Sequence, residues 1–152
     1  MSNQSRKHSL GLAGEFLVAG ELLRRGMTAA VTYGNAKKAD VIAVYGEVAA
    51  SLEVKTTSQQ KWVLGGQLPE NSEDIWVLVF LPEDEEQSPL YHVLTSAELR
   101  ALVLPDHEAY NQRYRQKHGK DYDKPGVVSI KKTSIPPSHV GAWSKVKTKL
   151  GI

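Results

Sequence analysis

The stretch KADVIAVYGEVAASLEVKTTS, residues 38–58, holds two apolar runs separated by a glycine-containing turn. Asp40 stands directly before the first run, and Glu53 and Lys55 interrupt the second. Two short apolar runs joined by such a turn predict a β-hairpin with strands over 40–45 and 49–57. Because burying an unpaired charge is costly, charged side chains inside a strand suggest a chemical role.

Side chains alternate between the two faces of a strand, so Glu53 and Lys55 share one face, together with Ser51 and Thr57. Asp40 opens the preceding strand, and the carboxylates can therefore converge at one end of the hairpin. Carboxylate oxygens suit a hard cation such as Mg²⁺. A bound cation lowers the pKa of water and offsets charge on a phosphate, and Lys55 can stabilise developing negative charge. This chemistry indicates phosphodiester hydrolysis.

A helix is predicted from an N-cap at Ser9 to about residue 25, where Gly26 ends it. Glu15 falls inside the apolar stripe of this helix and is expected to face the interior, whereas Glu21 is expected to face solvent. Glu15 can then reach the carboxylate cluster as a further or water-mediated ligand. The predicted stripe consists of Leu12, Phe16, Ala19, Leu22 and Leu23.

The rest of the chain predicts one mixed α/β domain over residues 1–152. The almost wholly apolar strand 75–81 is expected to be central and buried on both faces. Further strands are predicted over 29–33, 90–94 and 127–130. A helix capped at Thr95 or Ser96 is expected to run to 103 and to be broken by Pro105; others are expected over 106–118 and after a cap at Ser138.

Composition narrows the function classes. The 152 residues include no cysteine, which removes disulfides and thiolate metal sites and is compatible with a reducing cytoplasm. No apolar run approaches the roughly 20 residues of a membrane span. Net charge is +3 over residues 1–66, −7 over 67–105 and +6 over 106–152. This distribution indicates one positive and one negative face.

The order of the charged residues resembles the PD-(D/E)XK nuclease superfamily, a restriction-endonuclease-like group, and is most similar to the archaeal Holliday-junction resolvases. Asp40, the run Glu53-Val54-Lys55 and the pair Gly14-Glu15 on the first helix carry the resemblance, which covers residues 9–57. Ala39 stands where the family name has proline, a residue without a chemical role there. The chain after Lys61 has no match to the resolvases, so the substrate is open.

The resemblance implies a restriction-endonuclease-like mixed β-sheet core flanked by helices. It implies that Asp40, Glu53, Glu15 and the backbone carbonyl of Val54 are metal ligands and that Lys55 is the catalytic lysine. The implied cofactor is Mg²⁺, with Mn²⁺ as a substitute. The implied activity is endonucleolytic cleavage of DNA, duplex or branched, and many relatives act as homodimers.

Basic residues near aromatic ones are candidates for nucleic-acid contacts. Arginines and a lysine alternate with tyrosines over residues 110–117, and lysines precede Asp40. An amphipathic helix with packed tyrosines and a solvated basic side is the structural alternative. The candidate contacts are Lys37, Lys38, Thr57, Lys61, Arg113, Arg115 and Lys117.

Each candidate site residue also has a purely structural interpretation. Glu53 and Lys55 could form an ion pair on an exposed hairpin. Asp40 could be a turn or strand-entry residue, and Glu15 could stabilise the dipole at the N-terminal end of its helix. Two other functions stay open: a nucleic-acid-binding or scaffolding domain that keeps the fold without cleaving, and an enzyme that acts on RNA or a nucleotide.

Overall fold

The computed structural model describes residues 2–33, 39–122 and 126–152. Within these residues the helices are α1 (Asn3–Arg24), α2 (Ser96–His118) and α3 (Ser144–Leu150). The strands are β1 (Thr28–Val31), β2 (Val41–Tyr45), β3 (Val48–Thr57), β4 (Lys61–Gly65), β5 (Ile75–Phe80), β6 (Leu90–Thr95) and β7 (Val128–Lys131).

Five of the described strands form a mixed sheet in the order β1-β2-β3-β5-β6. β3 and β5 are parallel, and the other neighbouring strands are antiparallel. β4 and β7 pair separately as an antiparallel ribbon. The predicted mixed α/β sheet flanked by helices is therefore confirmed.

Apolar side chains cover both faces of this sheet. α1 and α3 pack on one face, where Leu52 and Val54 of β3 and Val77 of β5 are buried. α2 and the β4–β7 ribbon cover the other face, which includes Leu78 of β5. Because β5 contributes buried residues to both cores, the prediction that it is a central strand buried on both faces is confirmed.

The hairpin formed by β2 and β3 matches its predicted position to within one residue at each end. Gly46 adopts a positive φ of 60°, which suits the tight turn between the strands. The register pairs Tyr45 with Val48 next to the turn and Val41 with Leu52 at the far end. This pairing sets Asp40 beside the middle of β3.

The predicted start of the first helix at Ser9 is wrong, because α1 already begins at Asn3. Ser2 is its N-cap and accepts a hydrogen bond from the N–H of Ser5 at 3.1 Å. The additional residues, 3–8, are polar and exposed, so no hydrophobic periodicity marks them as helical.

The predicted apolar stripe of this helix is partly wrong. Phe16 and Leu23 are each 52% exposed, whereas Ala19 and Leu22 are buried as expected. The reason is that α1 touches the sheet along a narrow line, which leaves the flanks of the predicted stripe outside the interface. Glu21, expected in solvent, has a side chain only 19% exposed and forms ion pairs with neighbouring arginines.

Pro105 does not end a helix, contrary to the sequence prediction. α2 passes through it without a break to Gly119, which adopts φ 68° at the C-terminus. A proline lacks the N–H that would bond the carbonyl of residue 101, but Ala101 and Pro105 are both exposed, so water can satisfy that carbonyl. The predicted cap is confirmed: Thr95 and Glu98 form a reciprocal capping box.

Two further elements differ from expectation. β4 was not predicted; its buried Trp62 donates from Nε1 to the carbonyl of Val79 at 2.9 Å. The last helix begins at Ser144 rather than after Ser138, because Val140 forms an isolated β-bridge with His92. None of the helices in the described residues has the length and apolar character needed to cross a bilayer.

Candidate active site

Asp40 is held by backbone hydrogen bonds on both sides. Its N–H donates to the carbonyl of Leu52 on β3 at 3.1 Å, and its own carbonyl accepts from the N–H of Thr32 at 3.0 Å. The hydroxyl of Thr32 also donates to the carbonyl of Ala39. The strands on either side therefore fix the backbone from which the Asp40 carboxylate projects.

The carboxylate of Asp40 is bonded directly to β3. Its Oδ2 atom accepts a hydrogen bond from the N–H of Val54 at 2.9 Å. Val54 lies between Glu53 and Lys55 in the sequence, so this bond brings the aspartate to the charged segment of β3. In a strand, the N–H and C=O of one residue point to the same side, and the Val54 carbonyl is thus expected to point toward Asp40 as well.

Glu53 and Lys55 share a face of β3, as alternation predicts. The Nζ atom of Lys55 lies 3.7 Å from Oε1 of Glu53, and the two side chains are 35% and 36% exposed. The neighbouring residues Leu52 and Val54 point to the opposite face and are buried under α1. An ion pair this exposed contributes little to stability, about 1 kcal/mol at most.

Glu15 is buried, at 8% exposure, which confirms the prediction that it faces the interior. It lies where α1 comes closest to β3: a β-carbon added to Gly14 would be 1.8 Å from Oγ1 of Thr56. Only glycine permits this approach. Because α1 covers the Leu52 and Val54 face, Glu15 approaches β3 from the face opposite to the Glu53 and Lys55 side chains.

The donor set fits a hard divalent cation with few protein ligands. Within residues 2–33, 39–122 and 126–152, no three His, Asp or Glu side chains lie close enough together to hold one metal ion. Mg²⁺, however, needs only one or two carboxylates, with water and substrate oxygens completing its shell. The carboxylates of Asp40 and Glu53, with the Val54 carbonyl, are the kind of oxygen ligands that would hold such an ion.

A cavity of about 680 Å³ lies beside Glu53. It extends between the start of β5 and the end of β4, and its lining includes Glu70 and Asp74 as further carboxylates. Neither residue was predicted from the sequence to belong to the site. A signal was present, because Asp74 directly precedes the apolar strand β5, as Asp40 precedes β2. The acidic lining would repel a phosphate unless a cation offset it.

The candidate nucleic-acid contacts occupy different parts of the surface. Lys61 and Arg113 line one common cavity between β4 and α2. Arg115 forms an ion pair with Asp121 at 2.6 Å, and Lys117 is exposed near the end of α2. The hydroxyl of Thr57 accepts from the N–H of Gln59. Lys37 and Lys38 lie outside the described residues.

No protein-family model matches this chain, and no curated protein matches it in sequence. Among solved structures, it is similar to the bacterial homing endonuclease I-Ssp6803I, at 15% identity and a TM-score of 0.55, over 93% of this chain and 91% of that one. It is also similar to Hjc, a Holliday junction resolvase of Archaeoglobus fulgidus, at 13% identity and a TM-score of 0.45, over 82% and 90% of the two chains. The chain shares the restriction-endonuclease-like fold of the homing endonuclease, a mixed sheet flanked by helices.

Proposed function

We propose that this protein is a metal-dependent endonuclease that hydrolyses DNA phosphodiester bonds. The hydrogen bond from Val54 to the Asp40 carboxylate carries the proposal, because it brings an acidic side chain to the strand segment that holds Glu53 and Lys55. A turn residue or a simple surface ion pair would not require this link between two strands. The likeness in fold to a homing endonuclease supports the same class of reaction.

In this proposal Asp40, Glu53 and the Val54 carbonyl hold Mg²⁺, with Mn²⁺ as a substitute. The bound ion would lower the pKa of a water molecule and offset charge on the phosphate. Lys55 places its ammonium group beside this site, where it stabilises negative charge that develops on the phosphate. Glu15, on the other side of β3, acts through water.

The substrate of this proposal is DNA, either duplex or branched, and the protein acts as a homodimer. A homodimer would supply the two active sites needed to cut both strands of a duplex in one binding event. Within the part of the chain that the structure describes, the cavity beside Glu53 is lined by carboxylates and not by lysine or arginine. DNA would therefore enter this cavity only with a cation present, in keeping with metal dependence.

The test is cleavage of labelled duplex, single-stranded and junction DNA in Mg²⁺ or Mn²⁺ by the wild type, Glu53→Gln and Lys55→Met. The cleavage rate of each of these two variants is expected to fall about 100-fold or more, as it does when one electrostatic group is removed from an active site. Glu47→Gln, the same chemical change at the exposed turn of the same hairpin, is the matched control and should cleave normally. Tight binding without cleavage of any substrate by the wild type would favour the scaffolding alternative.

A further inference from the structure

The β4–β7 ribbon sets two lysines directly opposite each other. Lys61 of β4 pairs with Lys131 of β7, and both side chains are exposed. The next pair along, Trp62 and Ile130, is buried against the sheet, so the lysines project from the outer side of the ribbon. Directly opposed residues have β-carbons about 5 Å apart, and like charges at this spacing destabilise a strand pair.

A cavity of about 540 Å³ lies between parts of this ribbon and α2. Both lysines line it, and Arg113 of α2 adds a third positive charge, against the single carboxylate of Asp106 among the described lining residues. The lining also includes neutral hydrogen-bonding side chains, among them His107, Asn111, Ser129 and Ser134. A pocket of this size and polarity is large enough for a phosphate group with its attached sugar.

Among the described residues, no carboxylate forms an ion pair with the positively charged groups of this pocket. In the described ranges 2–33, 39–122 and 126–152, neither lysine nor Arg113 has a carboxylate oxygen within 4.0 Å. By contrast, Arg115, two residues along the same helix, pairs with Asp121 at 2.6 Å. The pocket therefore retains a repulsion that an anionic ligand would relieve.

We infer that this pocket binds a phosphodiester group of DNA at a position separate from the carboxylates that cut it. The inference rests on the proposed function for its ligand, DNA. Among the described residues, the lining of this pocket has no member in common with that of the cavity beside Glu53, so the two sites hold different parts of the nucleic acid. Tyr110, 45% exposed, also lines the pocket and supplies an aromatic face on which a neighbouring base can stack.

If the pocket binds phosphate, replacing one of its lysines should have opposite effects on DNA binding and on stability. Removing either lysine should weaken DNA binding and at the same time raise the stability of the free protein, because the repulsion across the ribbon disappears. Lysines that were merely solvated would raise stability on removal without affecting binding. If the lysines supported the fold, their removal would lower both DNA affinity and stability.

The experiment measures DNA binding by fluorescence anisotropy in EDTA, so that cleavage does not interfere, over a series of salt concentrations. Each phosphate of duplex DNA that a variant no longer neutralises should reduce the slope of log affinity against log salt by about 0.9. The Lys131→Gln variant should show this reduction in slope once. The double variant with Lys61→Gln and Lys131→Gln should show about twice the reduction. Urea unfolding of the same variants should shift to higher midpoints.

Lys147→Gln is the matched control, because α3 lies on the opposite face of the sheet and the charge change is identical. Unchanged affinity and slope in the lysine variants, with normal binding and cleavage by the wild type, would overturn the inference and leave the proposed function intact. Equal weakening of DNA binding by millimolar inorganic phosphate in the wild type and in the double lysine variant would also count against the inference, because phosphate would then compete at another site. Absence of DNA binding by the wild type, both in EDTA and with Mg²⁺ present, would count against both.

Discussion

The Oδ2 atom of Asp40 accepts a hydrogen bond from the N–H of Val54, 2.9 Å away and 14 residues later in the chain. Asp40 therefore has two roles that a substitution can separate. It anchors the start of β2 to β3, and it supplies negative charge beside Glu53 and Lys55.

Asp40→Asn should separate these roles, since an amide oxygen can still accept the bond from Val54. We expect Asn to cost about 1 kcal/mol of unfolding free energy or less, and Asp40→Ala to cost about 1–3 kcal/mol because the N–H loses its partner. Both should abolish metal-dependent cleavage. Urea unfolding and cleavage of labelled DNA are the measurements. Cleavage retained by the Asn variant would remove Asp40 from the metal ligands.

Gly14→Ala should destabilise the protein by about 1–3 kcal/mol, because the new β-carbon overlaps Oγ1 of Thr56. Gly20→Ala is the matched control: it lies in the same helix with nothing within 4 Å of the added carbon. Alanine there should stabilise by up to about 1 kcal/mol. Thermal unfolding compares the two. Equal effects would mean that α1 can move away from β3, and the position of Glu15 would then not depend on this close approach.

Pro105→Ala should stabilise the protein by about 1–3 kcal/mol, since a proline inside a helix lacks an N–H donor and clashes with the preceding turn. The ring is exposed, so its removal leaves no hole in the core. Gln112→Ala, an exposed change in the same helix, should alter stability by no more than about 0.5 kcal/mol. Urea unfolding provides the comparison. A loss of stability in the proline variant would contradict this account of α2.

Stability should fall as the pH decreases below about 6.5, the ordinary histidine pKa. Burial lowers the pKa of His92, and the positive charge of Lys132 lowers it further. Burial and the ammonium of Lys145 lower the pKa of His139, whose Nδ1 accepts from Lys145 Nζ at 2.7 Å. Groups with depressed pKa values take up protons first in the unfolded chain, so acid favours unfolding until the folded-state pKa values are passed.

Urea midpoints measured between pH 8 and 5 test this expectation, and His139→Gln should flatten the curve. Below about pH 4.5 a further loss is expected from Glu98. Burial alone would raise the pKa of this carboxyl, but hydrogen bonds from Thr95 and Lys145 outweigh it and hold the pKa low. A flat profile between pH 8 and 5 would contradict the assignment.

Sequence patterns predicted the elements whose signals are local. The hairpin of β2 and β3 is marked by its turn glycine, and β5 by an unbroken apolar run. The capping box at Thr95 was likewise readable. Pro105 misled because a solvent-exposed proline can be accommodated inside a helix, and β4 was missed because its partner lies more than 60 residues away.

For the site, alternation in β3 predicted that Glu53 and Lys55 share a face, and this is observed. The bond from Val54 to the Asp40 side chain could not be read from the sequence, because it depends on the register at the end of the hairpin. The opposed pair Lys61 and Lys131 was also hidden, since only the long-range pairing of the ribbon makes them neighbours.

The pairing of β4 with β7 also constrains the order in which the molecule can be assembled. Trp62, 1% exposed, owes part of its cover to Val128 and Ile130, which the ribosome adds much later than β4. Closing so long a stretch of chain is entropically slow. A nascent chain must therefore hold this indole partly uncovered until β7 has been synthesised, and the burial of Trp62 should mark the moment when the second core closes.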